Sequence, residues 1–174
     1  FEDPVEGGFF TTEADQRDLL FRQKAFLDGA VPPGNAMAVE ALLRLSWHLD
    51  RSDFQEAARR ALRCAAPLLE KAPRHCLSLL AVLSVALSGP VEIVMTGVRE
   101  DPRLSALLEV VWKEFLPARV LSLVSSDEVL PLHRGRASGG APLAYLCHGQ
   151  TCLAPCAEPE HLATCLADLV KMQN

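Results

Sequence analysis

The sequence predicts a mixed α and β fold, in which antiparallel helices come first and a small α/β lobe follows. Apolar residues recur at helical spacing over residues 36–87. After Gly89-Pro90, which ends the last of these helices, the pattern changes to short extended runs rich in Val, Ile and Leu. We therefore predict a helical segment over residues 1–89 and an α/β lobe with a C-terminal helix over residues 90–174.

The stretch from Asp28 to Leu49 contains the helix on which we expect the first segment to be built. Prolines and glycines delay a regular structure until about Ala36, and Asn35 is well suited to cap the helix. The helix is apolar nearly all round, which predicts other elements on every side of it. Its capped N-terminus, with Asp28 nearby, would then open into a cavity. A plainer interpretation leaves Asp28 and Asn35 as loop and cap residues only.

Two further helices follow, of which the first is amphipathic and the second is nearly all apolar. The first extends over residues 52–69, and the second begins near Pro73 and ends at Leu87. A buried, an amphipathic and a second buried helix together indicate an inner, outer and inner arrangement of antiparallel helices.

The lobe begins with a strand, a helix and a second strand. The strands are Val91–Thr96 and Arg119–Val124, and the helix between them is capped by Asp101. This order predicts a βαβ unit with parallel strands. The buried stripe of the helix is expected to include Trp112 and Phe115. We expect a third strand from Leu143 to Cys147 and a last helix from about Pro159.

Composition excludes some classes of partner. The net charge is −5 and the pI is near 5.5, without a Lys/Arg cluster, so we expect no nucleic-acid partner and no membrane partner. The longest apolar run, Cys76 to Leu87, is too short to cross a bilayer. Because 49% of the residues are hydrophobic, we expect association with the remainder of a parent protein or self-association. The start at Phe1, without a Met or a signal peptide, indicates a fragment or a processed product.

Four of the six cysteines have the spacing C-x4-C-x3-C-x8-C, at positions 147, 152, 156 and 165. We favour structural thiols for these four. Cys64, Cys76 and Cys165 lie in helical apolar patterns, where a thiol behaves as a small hydrophobe, so we expect a reducing, cytoplasmic location. A Cys147–Cys152 or Cys152–Cys156 disulfide remains open. A metal site formed by Cys147, Cys152 and Cys156 is a third interpretation, with His148 or His161 as a substitute ligand.

Catalytic patterns are sparse. The chain has no C-x-x-C and no G-x-G-x-x-G, and we expect no cofactor. Glycoside chemistry needs two facing carboxyl groups, and Asp28 is the one acid whose context indicates a cavity.

Several short motifs, in order along the chain, resemble one family. They are Gly7-Gly8-Phe9-Phe10, Leu20-Phe21-Arg22-x-Lys24, residues 28–35, and Ala144-Tyr145-Leu146-Cys147 with Cys152 and Pro155. Together they look like the C-terminal part of the spermatogenesis-associated thioredoxin-domain protein family. The resemblance implies a partial (α/α) toroid of the six-hairpin glycosidase-like type, followed by an α/β lobe. Pro33, Ala36 and Thr11 depart from the family pattern, which weakens the case for catalysis.

The resemblance implies a scaffold, or one wall of a cavity for a small polar or sugar ligand, without a complete active site. The candidate ligand-binding residues are Arg22, Asp28 and Asn35. The alternative is part of a carbohydrate-active enzyme, hydrolase or epimerase-like, that uses Asp28 as acid or base. A redox module that uses Cys147 and Cys152 is a third possibility.

Overall fold

A computed structural model describes residues 1–16, 18–124, 130–136, 140–149 and 151–173. In these ranges the chain forms five α-helices and a four-stranded sheet, so the predicted mixed α and β class is confirmed. The chain divides into two compact units, Phe1–Leu87 and Ser88–Asn174. Among the described residues, no helix has the length and apolar character needed to span a bilayer.

The first unit is helical. It contains α1 (Gly34–Leu49), α2 (Ser52–Lys71), a short 3-10 helix (Pro73–His75) and α3, which extends from Leu77 to Ser88. Four alanines of α1 and α2 are part of its core; the buried apolar residues of this cluster are Ala36, Val39, Leu43, Ala58, Ala61, Leu62, Ala65, Cys76, Leu79 and Val82.

The predicted cap of α1 is wrong. The helix begins at Gly34, and Pro33 occupies the N-cap position without a side-chain hydrogen bond. Asn35 lies inside the first turn and is buried, with only 1% of its surface exposed. Its amide side chain is engaged by other parts of the chain and is therefore not available to cap the helix.

The prediction that α1 has other elements on every side is also wrong for this chain. Met37, Ala41, Leu45 and Leu49 follow one another at every fourth position and are all exposed. We call these four residues the α1 stripe. Exposure reaches 50% at Met37 and 45% at Leu45, whereas Val39 and Leu43 on the opposite side are buried. The helix therefore has two apolar faces, and only one of them is covered within the first unit.

The second unit is a mixed sheet with two helices. Its strands are β1 (Val91–Thr96), β2 (Arg119–Val124), β3 (Leu143–His148) and β4 (Thr151–Cys152), in the order β2-β1-β3-β4. β1 and β2 are parallel and are joined through α4 (Pro102–Lys113), so the predicted βαβ unit is confirmed. β3 is antiparallel to β1 and to β4. The last helix, α5, extends from Pro159 to Gln173.

Large apolar side chains fill the core of the second unit. The strands, α4 and α5 all contribute to it; the buried members are Val91, Ile93, Met95, Leu104, Leu107, Val111, Leu116, Ala144, Leu146, Cys156, Leu162, Leu166 and Leu169. Asp101 caps α4 as predicted, since its side chain accepts a hydrogen bond from Arg103 N.

The expected burial of Trp112 and Phe115 is wrong, because their exposed fractions are 62% and 85%. Phe115 lies beyond the end of α4 at Lys113. The Trp112 ring is instead covered by the guanidinium of Arg119, 4.3 Å from the ring centroid.

Candidate functional site

Asn35 joins two separate loop segments to the start of α1. Its Oδ1 accepts a hydrogen bond from Phe9 N at 2.7 Å, and its Nδ2 donates to Phe9 O at 2.9 Å and to Ala25 O at 3.0 Å. Gly8 makes this approach possible, because a Cβ at that position would lie 3.1 Å from Asn35 Oδ1 and 2.9 Å from the Phe26 ring. The predicted ligand-binding amide is therefore used inside the protein, and we call this arrangement the Asn35 clamp.

Lys24 organises the neighbouring loop, and sequence reasoning missed it. Its Nζ lies 2.7 Å from Asp3 Oδ2, with both side chains only 12% exposed, and it donates to Gly7 O at 2.9 Å. The hydrogen bond from Lys24, together with those from the backbone N–H groups of Val5 and Glu6, lowers the pKa of Asp3 to about 2. The pair therefore holds the N-terminal loop in place as a charged contact.

Arg22 also has internal partners. It donates to Thr12 O at 2.6 Å, and its guanidinium lies over the Phe10 ring, 3.8 Å from the centroid. Its Nε is buried and has no hydrogen-bond partner among the described residues. Within those residues, no hydrogen bond joins Arg22 to Asp28 or Asn35.

Asp28 binds the N-terminus of α3. Its Oδ2 accepts a hydrogen bond from Ser78 N at 3.0 Å, and its own N–H donates to His75 O at 2.8 Å. Hydrogen bonds from the Ser78 hydroxyl and backbone N–H hold the pKa of Asp28 below its ordinary range. The other oxygen, Oδ1, is buried and has no partner among the described residues. Asp28 therefore acts as a helix cap from a position 50 residues upstream of Ser78.

A cleft of about 450 Å³ lies elsewhere in the same loop region. It is lined by Thr11, Thr12, Asp18, Leu19, Leu20, Phe21 and Gln23. The predicted ligand-binding residues Arg22, Asp28 and Asn35 do not line this cleft.

The cysteines of the second unit fall into two pairs. Cys147 and Cys152 are opposite each other in β3 and β4 and form a disulfide. The favoured interpretation of these two as structural thiols is therefore wrong, and the Cys147–Cys152 disulfide is one of the alternatives that the sequence left open. Cys64, Cys76 and Cys165, on which the expectation of a reducing compartment rests, are free cysteines. Their sulfurs are bonded to each other, so they are not available as metal ligands in this state.

Cys156 and Cys165 remain thiols, and their sulfurs lie 3.9 Å apart. Burial raises the pKa of Cys156 to about 11, and the hydrogen bond with Cys165 adds to the increase. His161 joins this pair, and one ligand atom from each of the three residues lies within 4.8 Å of the others. His148, the other predicted substitute ligand, places its Nδ1 3.0 Å from Pro90 O. The signal that sequence reasoning overlooked was the spacing of His161 and Cys165, four positions apart on α5 and hence on one face.

Comparison with known proteins supports the resemblance found in the sequence. No family profile matches the chain. Spermatogenesis-associated protein 20 of Homo sapiens is 28% identical to it over 167 residues, which is 91% of this chain. The Mus musculus protein of the same name gives the same identity over the same length, and an uncharacterised protein of Caenorhabditis elegans is 28% identical over 152 residues, or 85% of this chain.

The matched region is a small part of each relative, since the chain covers 21% of the length of each of these three proteins. The chain is thus similar, along most of its own length, to about a fifth of spermatogenesis-associated protein 20.

Proposed function

We propose that this chain acts as a scaffold in a larger protein, as the closing helices of an (α/α) toroid plus an α/β lobe, with no complete active site of its own. The larger protein would carry a thioredoxin-like domain and the other helices of the toroid. Similarity over 91% of this chain to a protein about five times longer supports a role as one part of a larger unit.

The observation that carries the proposal is the α1 stripe. Single exposed apolar residues are ordinary on protein surfaces, but a continuous apolar row is typical of a surface that binds another protein surface. Met37 and Leu45 are about half exposed and lie two turns apart on the same flank. α3 also exposes a large apolar side chain near each of its ends, with 61% exposure at Leu77 and 79% at Leu87. The expected occupant is the remainder of the parent protein or, in its absence, a second copy of this chain.

The contacts of the three predicted ligand-binding residues favour a scaffold rather than an active site. All three make hydrogen bonds inside the first unit: Asn35 to Phe9 and Ala25, Arg22 to Thr12, and Asp28 to Ser78. A glycosidase acid needs a raised pKa, so that the carboxyl group still holds its proton near neutral pH. The pKa of Asp28 is shifted in the opposite direction. The shift therefore opposes a role for Asp28 as general acid, whereas a general base would be ionised in any case.

Sedimentation velocity on the chain, together with binding of a dye for exposed apolar surface, tests the proposal. The wild type should self-associate or bind the dye, and the double variant Met37→Lys/Leu45→Lys should be monomeric with dye fluorescence reduced several-fold. The matched control is Val98→Lys/Phe115→Lys, because both residues are exposed and apolar but lie outside the α1 stripe. A wild type that is monomeric and binds no dye would contradict the proposal.

The second candidate is a carbohydrate-active enzyme that uses Asp28, and one observation favours it. Asp28 Oδ1 is buried without a partner among the described residues, so this oxygen could accept a hydrogen bond from a ligand. Sugars screened by thermal shift and for turnover, on a parent protein that contains this chain, would test it. Turnover by the wild type that is lost in Asp28→Asn, but retained in the exposed control Asp53→Asn, would favour the enzyme over the scaffold.

A further inference from the structure

Three potential metal ligands meet where the segment after β4 returns to the sheet and α5 begins. Cys156 is fully buried, Cys165 is partly buried and His161 is exposed. Their ligand atoms all lie within 4.8 Å of one another. The cluster does not involve the Cys147–Cys152 disulfide or any residue of the first unit.

The separation of the two sulfurs fits one metal geometry closely. Zinc binds thiolate at about 2.3 Å with tetrahedral angles, which places two sulfurs of the same site about 3.8 Å apart. Cys156 Sγ and Cys165 Sγ are 3.9 Å apart. A zinc ion could therefore bind both sulfurs with almost no change in their separation.

Backbone hydrogen bonds hold Cys156 in place, and a helix holds Cys165. Cys156 pairs with Ala144 of β3 through two hydrogen bonds, at 2.9 Å from Cys156 N and 2.8 Å to Cys156 O. Cys165 lies on α5, which is anchored by the fully buried side chains of Leu162 and Leu166. A ligand on a helix, such as Cys165, is positioned more precisely than a ligand on a loop.

His161 supplies the adjustable ligand. It lies one helical turn before Cys165 on the same face of α5, so its ring and the Cys165 sulfur project to the same side. Because it is exposed, its ring can complete the last part of the approach by side-chain rotation without disturbing the core. The same exposure leaves the fourth position of a tetrahedral ion open to water.

We propose that Cys156, His161 and Cys165 form a binding site for a zinc ion, with water as the fourth ligand. Binding replaces each thiol proton by a bond from sulfur to zinc and releases those protons to solvent, with no change in oxidation state. Soft sulfur ligands select zinc over magnesium or calcium, which prefer oxygen. Because zinc displaces the thiol protons, the affinity falls as the pH is lowered.

The test is metal titration of the whole chain, first without reductant so that the Cys147–Cys152 disulfide stays closed. Zinc should bind with a stoichiometry of one. Cobalt(II), as a spectroscopic probe, should give the visible bands of a tetrahedral ion and a near-ultraviolet band from thiolate to cobalt charge transfer. Repeating the titration under reductant in Cys147→Ser/Cys152→Ser excludes ligands from the other pair.

Single variants identify the ligands. His161→Ala should weaken zinc binding by more than the roughly 10–100-fold that loss of a second-shell partner costs. Cys165→Ser should abolish the charge-transfer band or reduce it by half. The matched controls are His75→Ala, an exposed histidine, and Cys64→Ser, a partly buried free cysteine, and both should keep wild-type affinity.

Three results would overturn the proposal. The first is a fully reduced Cys147→Ser/Cys152→Ser chain that shows native unfolding behaviour and binds no zinc. The second is equal zinc affinity in the wild type and in His161→Ala. The third is a second disulfide. If thiol labelling shows that Cys156 and Cys165 have instead joined in a second disulfide, and zinc still does not bind after reduction, the pair is a redox pair and the metal site is refuted.

Discussion

The two units of the chain are stabilised in different ways. The core of the second unit consists mostly of Leu, Val, Ile and Met, contributed by the sheet, α4 and α5. The core of the first unit contains four alanines at the contact of α1 with α2, and its loops are held by polar groups such as Asn35 and Lys24. A core of large side chains buries more apolar surface per residue and contributes more to stability. The first unit thus depends more on hydrogen bonds.

The largest effect is expected in the core of the second unit. Leu166→Ala removes a fully buried side chain of α5 and leaves a cavity, so it should lower the free energy of unfolding by about 3–4 kcal/mol. Trp112 lies in the second unit and Trp47 in the first, so a Trp47→Phe background makes fluorescence report on the second unit alone.

Denaturant unfolding followed by Trp112 fluorescence is the measurement. Val98→Ala, at a side chain that is 59% exposed, is the control and should change stability by less than about 0.5 kcal/mol. A loss below about 1 kcal/mol in Leu166→Ala would break the contrast between the two cores.

The next effect concerns the Asn35 clamp. Asn35→Ala removes three hydrogen bonds and leaves the backbone groups of Phe9 and Ala25 without these partners. Buried polar groups that lose their partners are costly, so the free energy of unfolding should fall by about 2–3 kcal/mol. Trp47 fluorescence in a Trp112→Phe background reports the loss.

Asn35→Asp sharpens this result. It keeps an oxygen that can accept from Phe9 N but cannot donate to Phe9 O or Ala25 O, and it adds a buried charge. We expect a loss at least as large as that of Asn35→Ala. Wild-type stability in both variants would mean that the first unit does not depend on this clamp.

The smallest effect is a pH dependence that comes from Asp3. Its pKa in the folded protein is about 2, below the ordinary value of 3.8, so the unfolded chain binds the proton more tightly. The resulting stabilisation is fully present above about pH 5 and is lost as the pH falls towards 2. The stability difference between the wild type and Asp3→Asn should therefore shrink over this window.

Carboxyl NMR titration of Asp3 checks the cause directly. In Lys24→Met the principal hydrogen bond is absent, so the pKa of Asp3 should move up towards its ordinary value. If Asp3 titrates at that ordinary value in the wild type, the charged contact contributes nothing to the first unit.

Much of the second unit could be predicted because its signals are local. The strands Val91–Thr96 and Arg119–Val124 are bounded by breakers and are rich in apolar residues, and both are found at the predicted residues. Asp101 followed by Pro102 marks the start of α4 within two residues. Such signals depend on neighbours in the chain, which the sequence contains directly.

The candidate site was less predictable because its contacts are distant in sequence. Asn is a common helix-capping residue, but the side-chain amide of Asn35 binds the backbone of Phe9 instead, which is 26 residues away. The sequence predicts that Asp28 faces a cavity, but its carboxylate binds the backbone of Ser78, which is 50 residues away. A side chain that can cap, clamp or bind a ligand is assigned to one role only by what folds next to it.

By itself, the sequence determined the kind and order of the elements, because the spacing of apolar residues fixes which backbone periodicity can bury them. Tertiary structure alone decided which of the two apolar faces of α1 is covered, and which cysteines pair. Burial of a face requires an opposing surface, and a disulfide requires two sulfurs within bonding distance, so both depend on long-range geometry. The disulfide between Cys147 and Cys152 follows from the placement of β3 and β4. The proximity of Cys156, His161 and Cys165 follows from the placement of α5 next to the segment after β4.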